Sequence, residues 1–235
     1  MNKTIKFWVE CNSPAQVNKI LPGVEKCLKY CNKIIITGNG IFKPWEYGRL
    51  KAFKKRIIPG MKPDSFADFS ELIPSPYSNI WVHDCETYLK NIEKNNWTTV
   101  YWEVLKERFS LMDQTIQHWF YPIPPIRTEP GVHWEFCECI KQCIANYRLI
   151  DQTHGNLNWN KANVIAHRTN VNINLNSIKP MIPMLFCYKD NNIDWRSDRV
   201  LGQVENLKEL GYDTIIGYPG QKDFLETVTE IFKKD

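Results

Sequence analysis

Asn79-Ile-Trp-Val-His-Asp-Cys-Glu-Thr-Tyr88 is an apolar run that ends abruptly in two carboxylates, Asp84 and Glu86, one residue apart. Read as a strand, it alternates its side chains between two faces, so Asp84 and Glu86 point the same way at its carboxyl end. His83 points the other way. A carboxylate pair so placed can raise the pKa of one member and keep it protonated near neutral pH, as a general acid requires. The bland alternative is two solvated residues at a strand exit. What surrounds them decides between the two.

Outward from this run, short apolar segments alternate with helical patterns along nearly the whole chain, the mark of βα units around a parallel sheet. Ile5 to Val9 reads as the first strand, and Val17, Ile20, Leu21, Val24, Cys27 and Leu28 recur at helical spacing behind it, with Pro22 as a possible kink. Ile34 to Ile36 ends at Gly38-Asn-Gly40, and a basic helix follows from Tyr47 to Lys55. A brief third strand at Ile57-Ile58 precedes a short helix from Ser65 to Leu72. The fourth strand is the opening run, with its helix expected over Thr98 to Met112. Thr115 to Tyr121 is the fifth, stopped by Pro122-Ile-Pro-Pro125 and covered by a helix from Val132 to Tyr147.

Met181 to Tyr188, the amphipathic Ser197 to Leu210 closed by Gly211, Thr214 to Ile216 and a helix from Lys222 complete the pattern. The Asn-rich stretch from Arg148 to Ser177 must supply the sixth strand, at Arg148-Leu-Ile150 or at Val164-Ile-Ala166. About eight units in 235 residues, with no repeat or linker between them, predict one domain: a single (β/α)8 barrel of the TIM type over residues 1–235, irregular around strand six.

Composition narrows the class. The chain is 43% hydrophobic and 24% charged, ordinary for a globular protein, and its net charge of +4 is spread thinly. The densest basic cluster, Lys51 to Arg56, suits a solvated helix face better than a nucleic-acid site. No segment has the length and flanks of a signal peptide or membrane span, so no membrane partner is expected and cytoplasmic residence with reduced thiols is the simpler reading; secretion stays open. The 8 Cys include no CxxC pair. His133, Cys137, Cys139 and Cys143 are close in sequence but do not share one helix face, so no metal site and no cofactor are expected. Nothing fixes the oligomeric state.

In the barrel register, Glu10 and Asn12 follow strand one, Asn39 strand two, Asp84 and Glu86 strand four, Tyr121 strand five, Tyr188 and Asp190 strand seven, and Tyr218 strand eight. All are expected at the mouth where such barrels keep their chemistry. There is no phosphate-cradling glycine loop, no Gly-x-Ser-x-Gly elbow and no HExxH. Nine Trp within a 13% aromatic content add flat apolar surfaces suited to cores or to sugar rings.

Asp84-Cys85-Glu86 at the end of strand four, Asn12-Ser-Pro14 after strand one, Trp119-Phe-Tyr-Pro122 on strand five and Phe186-Cys-Tyr188 on strand seven together resemble the chitinase-type glycoside hydrolase barrels, hyaluronidases included. Cys85 stands where that family has an aromatic residue, and Tyr218 where it has a Trp. The resemblance implies a glycoside hydrolase acting on an N-acetylated polysaccharide or oligosaccharide, with Glu86 as general acid/base and Asp84 as its assistant. Tyr121, Tyr188, Tyr218, Trp119, Asn12, Glu10 and Asp190 are then expected around a carbohydrate ligand. Two rivals are a lysozyme-type peptidoglycan hydrolase, which would put an Asp on strand one, and a non-catalytic carbohydrate-binding or assembly module.

Overall fold

The computed structural model describes residues 4–39, 43–63, 67–69, 75–94, 99–123, 132–151, 159–170, 180–188, 196–220 and 224–233. Eight parallel strands follow one another around a closed barrel: β1 Ile5–Glu10, β2 Ile34–Asn39, β3 Ile57–Lys62, β4 Ile80–Asp84, β5 Gln117–Ile123, β6 Tyr147–Asp151, β7 Met181–Phe186 and β8 Ile215–Tyr218. Closure is made by β8 against β1, with Ile5 beside Ile215 and Phe7 beside Gly217. The chain folds as a (β/α)8 barrel.

Alternation along each strand divides the core in two. One set of side chains, among them Trp8, Ile35, Ile58, Val82, Trp119, Ile150, Ile182 and Ile216, fills the barrel. The other set faces outward and packs under the helices, as Phe7, Val9, Ile34 and Ile36 do. The β-branched Ile34-Ile-Ile36 is buried on both faces, as a parallel strand must be. Gly60 of β3 faces the interior, where a Cβ would lie 2.6 Å from Thr37 Cγ2 and 2.7 Å from the Val82 carbonyl oxygen. Only a bare backbone fits there.

The covering helices are α1 Val17–Tyr30, α2 Glu86–Lys94, α3 Thr99–Leu111, α4 Val132–Cys143, α5 Lys161–Asn170, α6 Ser197–Glu209 and α7 Phe224–Ile231. The six α1 residues singled out by spacing are all buried, and the helix runs unbroken through Pro22. Gly23 lets α7 approach α1, since a Cβ there would meet the Phe224 ring at 2.3 Å. None of the described helices is long and apolar enough to cross a membrane.

Several expected elements move. The basic segment Gly48–Arg56 is a 3-10 helix, and of the helix expected over Ser65 to Leu72 only a 3-10 turn at Ala67–Phe69 falls within the described residues. The sixth strand is Tyr147–Asp151; Val164 to Ala166 belong to α5, which covers it. The expected irregularity lies in the register between β5 and β6, which shifts between Phe120 and Ile123. The largest departure is α2. Strand β4 stops at Asp84, and a helix begins at Glu86, where spacing had suggested more strand.

Candidate active site

At the carboxyl ends of the strands a cavity of about 260 Å3 is lined by Trp8, Glu10, Asp84, Glu86, Tyr121, Met184, Phe186, Tyr188 and Tyr218. Its floor is the topmost interior layer. Trp8 is fixed there by donating its indole N–H to Thr37 Oγ1 at 2.8 Å, and its ring meets Tyr121 edge-on with centroids 5.0 Å apart. Five strands therefore contribute walls or floor: β1, β4, β5, β7 and β8.

Behind the carboxyls stands Lys62, the last residue of β3. Its ammonium donates to Glu10 Oε2 and lies 3.6 Å from Asp84 Oδ2. Burial pulls the Lys62 pKa down, but the bond to Glu10 and the charge of Asp84 outweigh it, and the ammonium is held above its ordinary value. Lys62 is a fixed positive charge. The Tyr218 hydroxyl reaches Glu10 Oε1 at 3.3 Å from the other side.

Asp84 is the perturbed group. Its side chain is 7% exposed, and that burial pushes its carboxyl up; Lys62 pulls it down, Glu10 and Glu86 push it up, and a hydrogen bond from the Glu86 backbone N–H pulls it down. The balance is a pKa pushed up to about 7. One lysine shared between two carboxylates cannot compensate both, and Glu10 holds the closer position. The same Glu86 N–H accounts for the early start of α2: the Asp84 carboxyl accepts from the N–H two residues on, an Asx-turn that leads into the first turn of the helix.

Glu86 is differently placed from the sequence expectation. It is the first residue of α2, its side chain is 40% exposed, and Lys90 pairs with it at 2.5 Å one turn on. Lys90 and water surround its carboxyl, and the burial that sets Asp84 apart is missing. Of the pair, Asp84 is the residue poised near neutrality.

The structure thus brings Glu10, Asp84, Glu86, Tyr121, Tyr188 and Tyr218 to one cavity. Trp119 is not there. It lies one layer deeper, 1% exposed, donating to Gln117 Oε1 at 2.6 Å under the guanidinium of Arg148, which closes the opposite mouth with Asp213. Asn12 is turned into the loop after β1, where its backbone N–H donates to Gln16 Oε1. Asp190 lies outside the described residues. The sequence reading missed Lys62, Trp8 and Met184; a period-two extension of β3 from Ile58 through Gly60 would have aimed Lys62 inward at the mouth.

His83 and His118 form a second polar cluster, in the outer layer. His83 Nε2 and His118 Nδ1 are 3.0 Å apart, and His118 Nε2 lies 2.8 Å from the Asp113 carbonyl oxygen. A carbonyl only accepts, so His118 carries its proton on Nε2 and takes one on Nδ1 from His83. Burial holds both rings below their ordinary pKa. The pair is packed between Phe69 and Phe120, away from the cavity. Among the described residues no group of three or more His, Cys, Asp or Glu is arranged to hold a metal ion, and all eight cysteines are free thiols.

No known family's sequence profile matches the chain, and no curated protein does. Solved structures resemble it in fold. A Plasmodium falciparum HPPK-DHPS variant aligns with 98% of this chain at 13% identity and a TM-score of 0.42; this chain spans 45% of that one's length. A Xanthomonas albilineans dihydropteroate synthase aligns over 97% of this chain and 91% of its own at 7% identity and TM-score 0.43. A mutant tryptophan synthase α-subunit from Pyrococcus furiosus aligns over 99% and 98% at 9% identity and TM-score 0.36. What is shared is the barrel.

The expected kinship with chitinase and hyaluronidase barrels is corrected to the barrel alone, which the closed order of eight parallel strands shows. The neighbours named are a dihydropteroate synthase and a tryptophan synthase subunit, not glycosidases. The site agrees with the correction, because the residue cast as proton donor, Glu86, is only half-buried and is ion-paired on a helix. The glycosidase, peptidoglycan-hydrolase and sugar-module readings go with it.

Proposed function

We propose that the protein is an enzyme that works by proton transfer on a small organic molecule held at the carboxyl-terminal mouth of the barrel, with Asp84 as the group that takes and returns the proton. One observation carries this reading: a carboxyl raised to about 7 faces a small cavity, 3.6 Å from a lysine that is itself held charged. A general acid/base is most effective when its pKa lies near the working pH, and perturbed carboxyls of this kind gather at functional sites. Lys62 has a positioning role. Its ammonium is bonded to Glu10, and its charge stops Asp84 from rising further, so that both protonation states of Asp84 are accessible near pH 7.

Tyr121, whose hydroxyl burial holds well above its ordinary pKa, remains a neutral phenol able to donate a hydrogen bond to a substrate, while Tyr218, also neutral, already gives its one proton to Glu10 and offers a substrate only an acceptor lone pair. Proton removal and return at carbon is the chemistry of isomerases and lyases. The test is solvent exchange: a panel of small carbonyl and amino compounds incubated with the protein in D2O and read by mass spectrometry. Deuterium wash-in should follow an apparent pKa near 7 and drop by roughly two to four orders of magnitude in Asp84→Asn, which keeps the shape and loses the proton. Undiminished exchange in that variant, or none by the native protein, would refute the reading.

A further inference from the structure

Three rings at one side of the cavity stand almost mutually perpendicular. Phe186 and Tyr188 meet at 77°, Phe186 and Tyr218 at 79°, and Tyr188 and Tyr218 at 83°, all with centroids 5.5 to 5.9 Å apart. They form the corner of a box. Trp8 continues it, at 77° to Tyr218 and 79° to Tyr121. Edge-to-face pairing is ordinary in cores, but these rings border an open space, and Tyr188 and Tyr218 are only partly buried. Perpendicular walls present ring faces from several directions to whatever sits between them, the arrangement that attracts a positive charge through the ring quadrupoles.

The polar walls have the matching sign. Glu10, Asp84 and Glu86 supply three carboxyls, and none of the described lining residues is a Lys or an Arg. Lys62 and Lys90 pair with those carboxyls but do not line the cavity, so three carboxyls against two ammoniums leave one negative charge in excess when all are ionised. At about 260 Å3 the space is smaller than the roughly 300–1,000 Å3 of sites for drug-sized ligands.

We infer that the ligand of this cavity is a small organic cation, an ammonium group on a compact apolar body, seated between the Phe186, Tyr188 and Tyr218 rings and facing Asp84. The inference rests on the proposed acid–base site and names its substrate class. It also supplies the second charge that Asp84 lacks: a bound cation favours the carboxylate, so binding at neutral pH expels a proton from Asp84. An ammonium beside the reacting carbon would acidify it while preparing the base.

The experiment is isothermal titration calorimetry of the full chain at pH 7 with choline and with its neutral isostere, 3,3-dimethyl-1-butanol. Choline is expected to bind at least about tenfold tighter, because only the charge differs. Repeating the titration in buffers of different ionisation enthalpy should reveal proton release, and that release should vanish in Asp84→Asn. Tyr188→Leu should weaken choline about tenfold and Tyr188→Phe should not, with thermal unfolding used to verify that both variants fold. Equal binding of the isostere, preference for benzoate over choline, or no binding of any tested cation by the native protein would overturn the inference. Cation binding without deuterium exchange would sink the catalytic reading and leave this one standing. Exchange confined to neutral or anionic compounds would do the reverse.

Discussion

Replacing Asp84 by Asn should make the protein more stable at alkaline pH and leave it nearly unchanged in acid. The folded-state carboxyl is raised from 3.8 to about 7, roughly three units, and each unit corresponds to about 1.36 kcal/mol. The sign follows from proton counting: between pH 4 and 7 the native state holds a proton that the unfolded chain has released, so the stability attached to it is complete below about pH 4 and is lost as pH rises through 7. Above that, the native protein carries a cost of about 4 kcal/mol that an uncharged Asn does not. The side chain is 7% exposed, so solvent screening removes little of it.

Denaturant unfolding of both proteins at steps from pH 4 to 8.5 gives the variant-minus-native difference, in which the titrating groups distant from Asp84 cancel. That difference should lie within about 1 kcal/mol of zero at pH 4 and grow to about 4 kcal/mol in favour of the variant. A flat difference curve, or one that favours the native protein at high pH, would mean that Lys62 holds Asp84 ionised and that the site has no neutral-pH proton carrier. A cost of this size is a large share of a typical 5–15 kcal/mol total, the kind of expense tolerated where a site needs it.

Other consequences can be checked separately. In Lys62→Met the Asp84 pKa should climb further, since the charge that pulls it down is gone, and carboxyl 13C titration would read the direction; a fall would refute the assigned pairing. Glu86→Gln should alter stability by no more than about 0.5 kcal/mol, the scale of an exposed i,i+4 pair, and thermal unfolding is sufficient to test it. His83, whose pKa is held well below its ordinary value, costs nothing above about pH 6.5 but destabilises the fold as pH falls below it; the acid slope of stability should be shallower in His83→Phe than in the native protein. Gly60→Ala forces a Cβ against Thr37 and the Val82 carbonyl and should lose about 1–3 kcal/mol in denaturant melts, while Phe109→Ala, emptying a site between Phe69, Phe120 and Phe136, should lose about 3–5 kcal/mol.

The architecture was legible because its signals are local. Apolar runs such as Ile34-Ile-Ile36 and the spacing of Val17, Ile20, Leu21, Val24, Cys27 and Leu28 state which side of each element must be buried, and eight such alternations leave a closed parallel barrel as the natural arrangement. The same alternation placed Glu10, Asp84, Tyr121, Tyr188 and Tyr218 at one mouth, and the structure gathers them around one cavity. It failed where a single backbone hydrogen bond outweighs periodicity. The Glu86 N–H turns to the Asp84 carboxyl, α2 starts there, and Glu86 leaves the strand face.

Which carboxyl is the unusual one was beyond any linear reading. Asp84 owes its pKa to burial and to sharing Lys62 with Glu10, and these three residues come from β4, β3 and β1, with Glu10 and Lys62 52 positions apart in the chain. The perpendicular corner of Phe186, Tyr188 and Tyr218 likewise needs β7 and β8 in register. Sequence determines which side chains turn inward, because that follows from the two-residue period of a strand. Distance, desolvation and competition for a single lysine exist only after the barrel closes, and they decide the chemistry of the mouth.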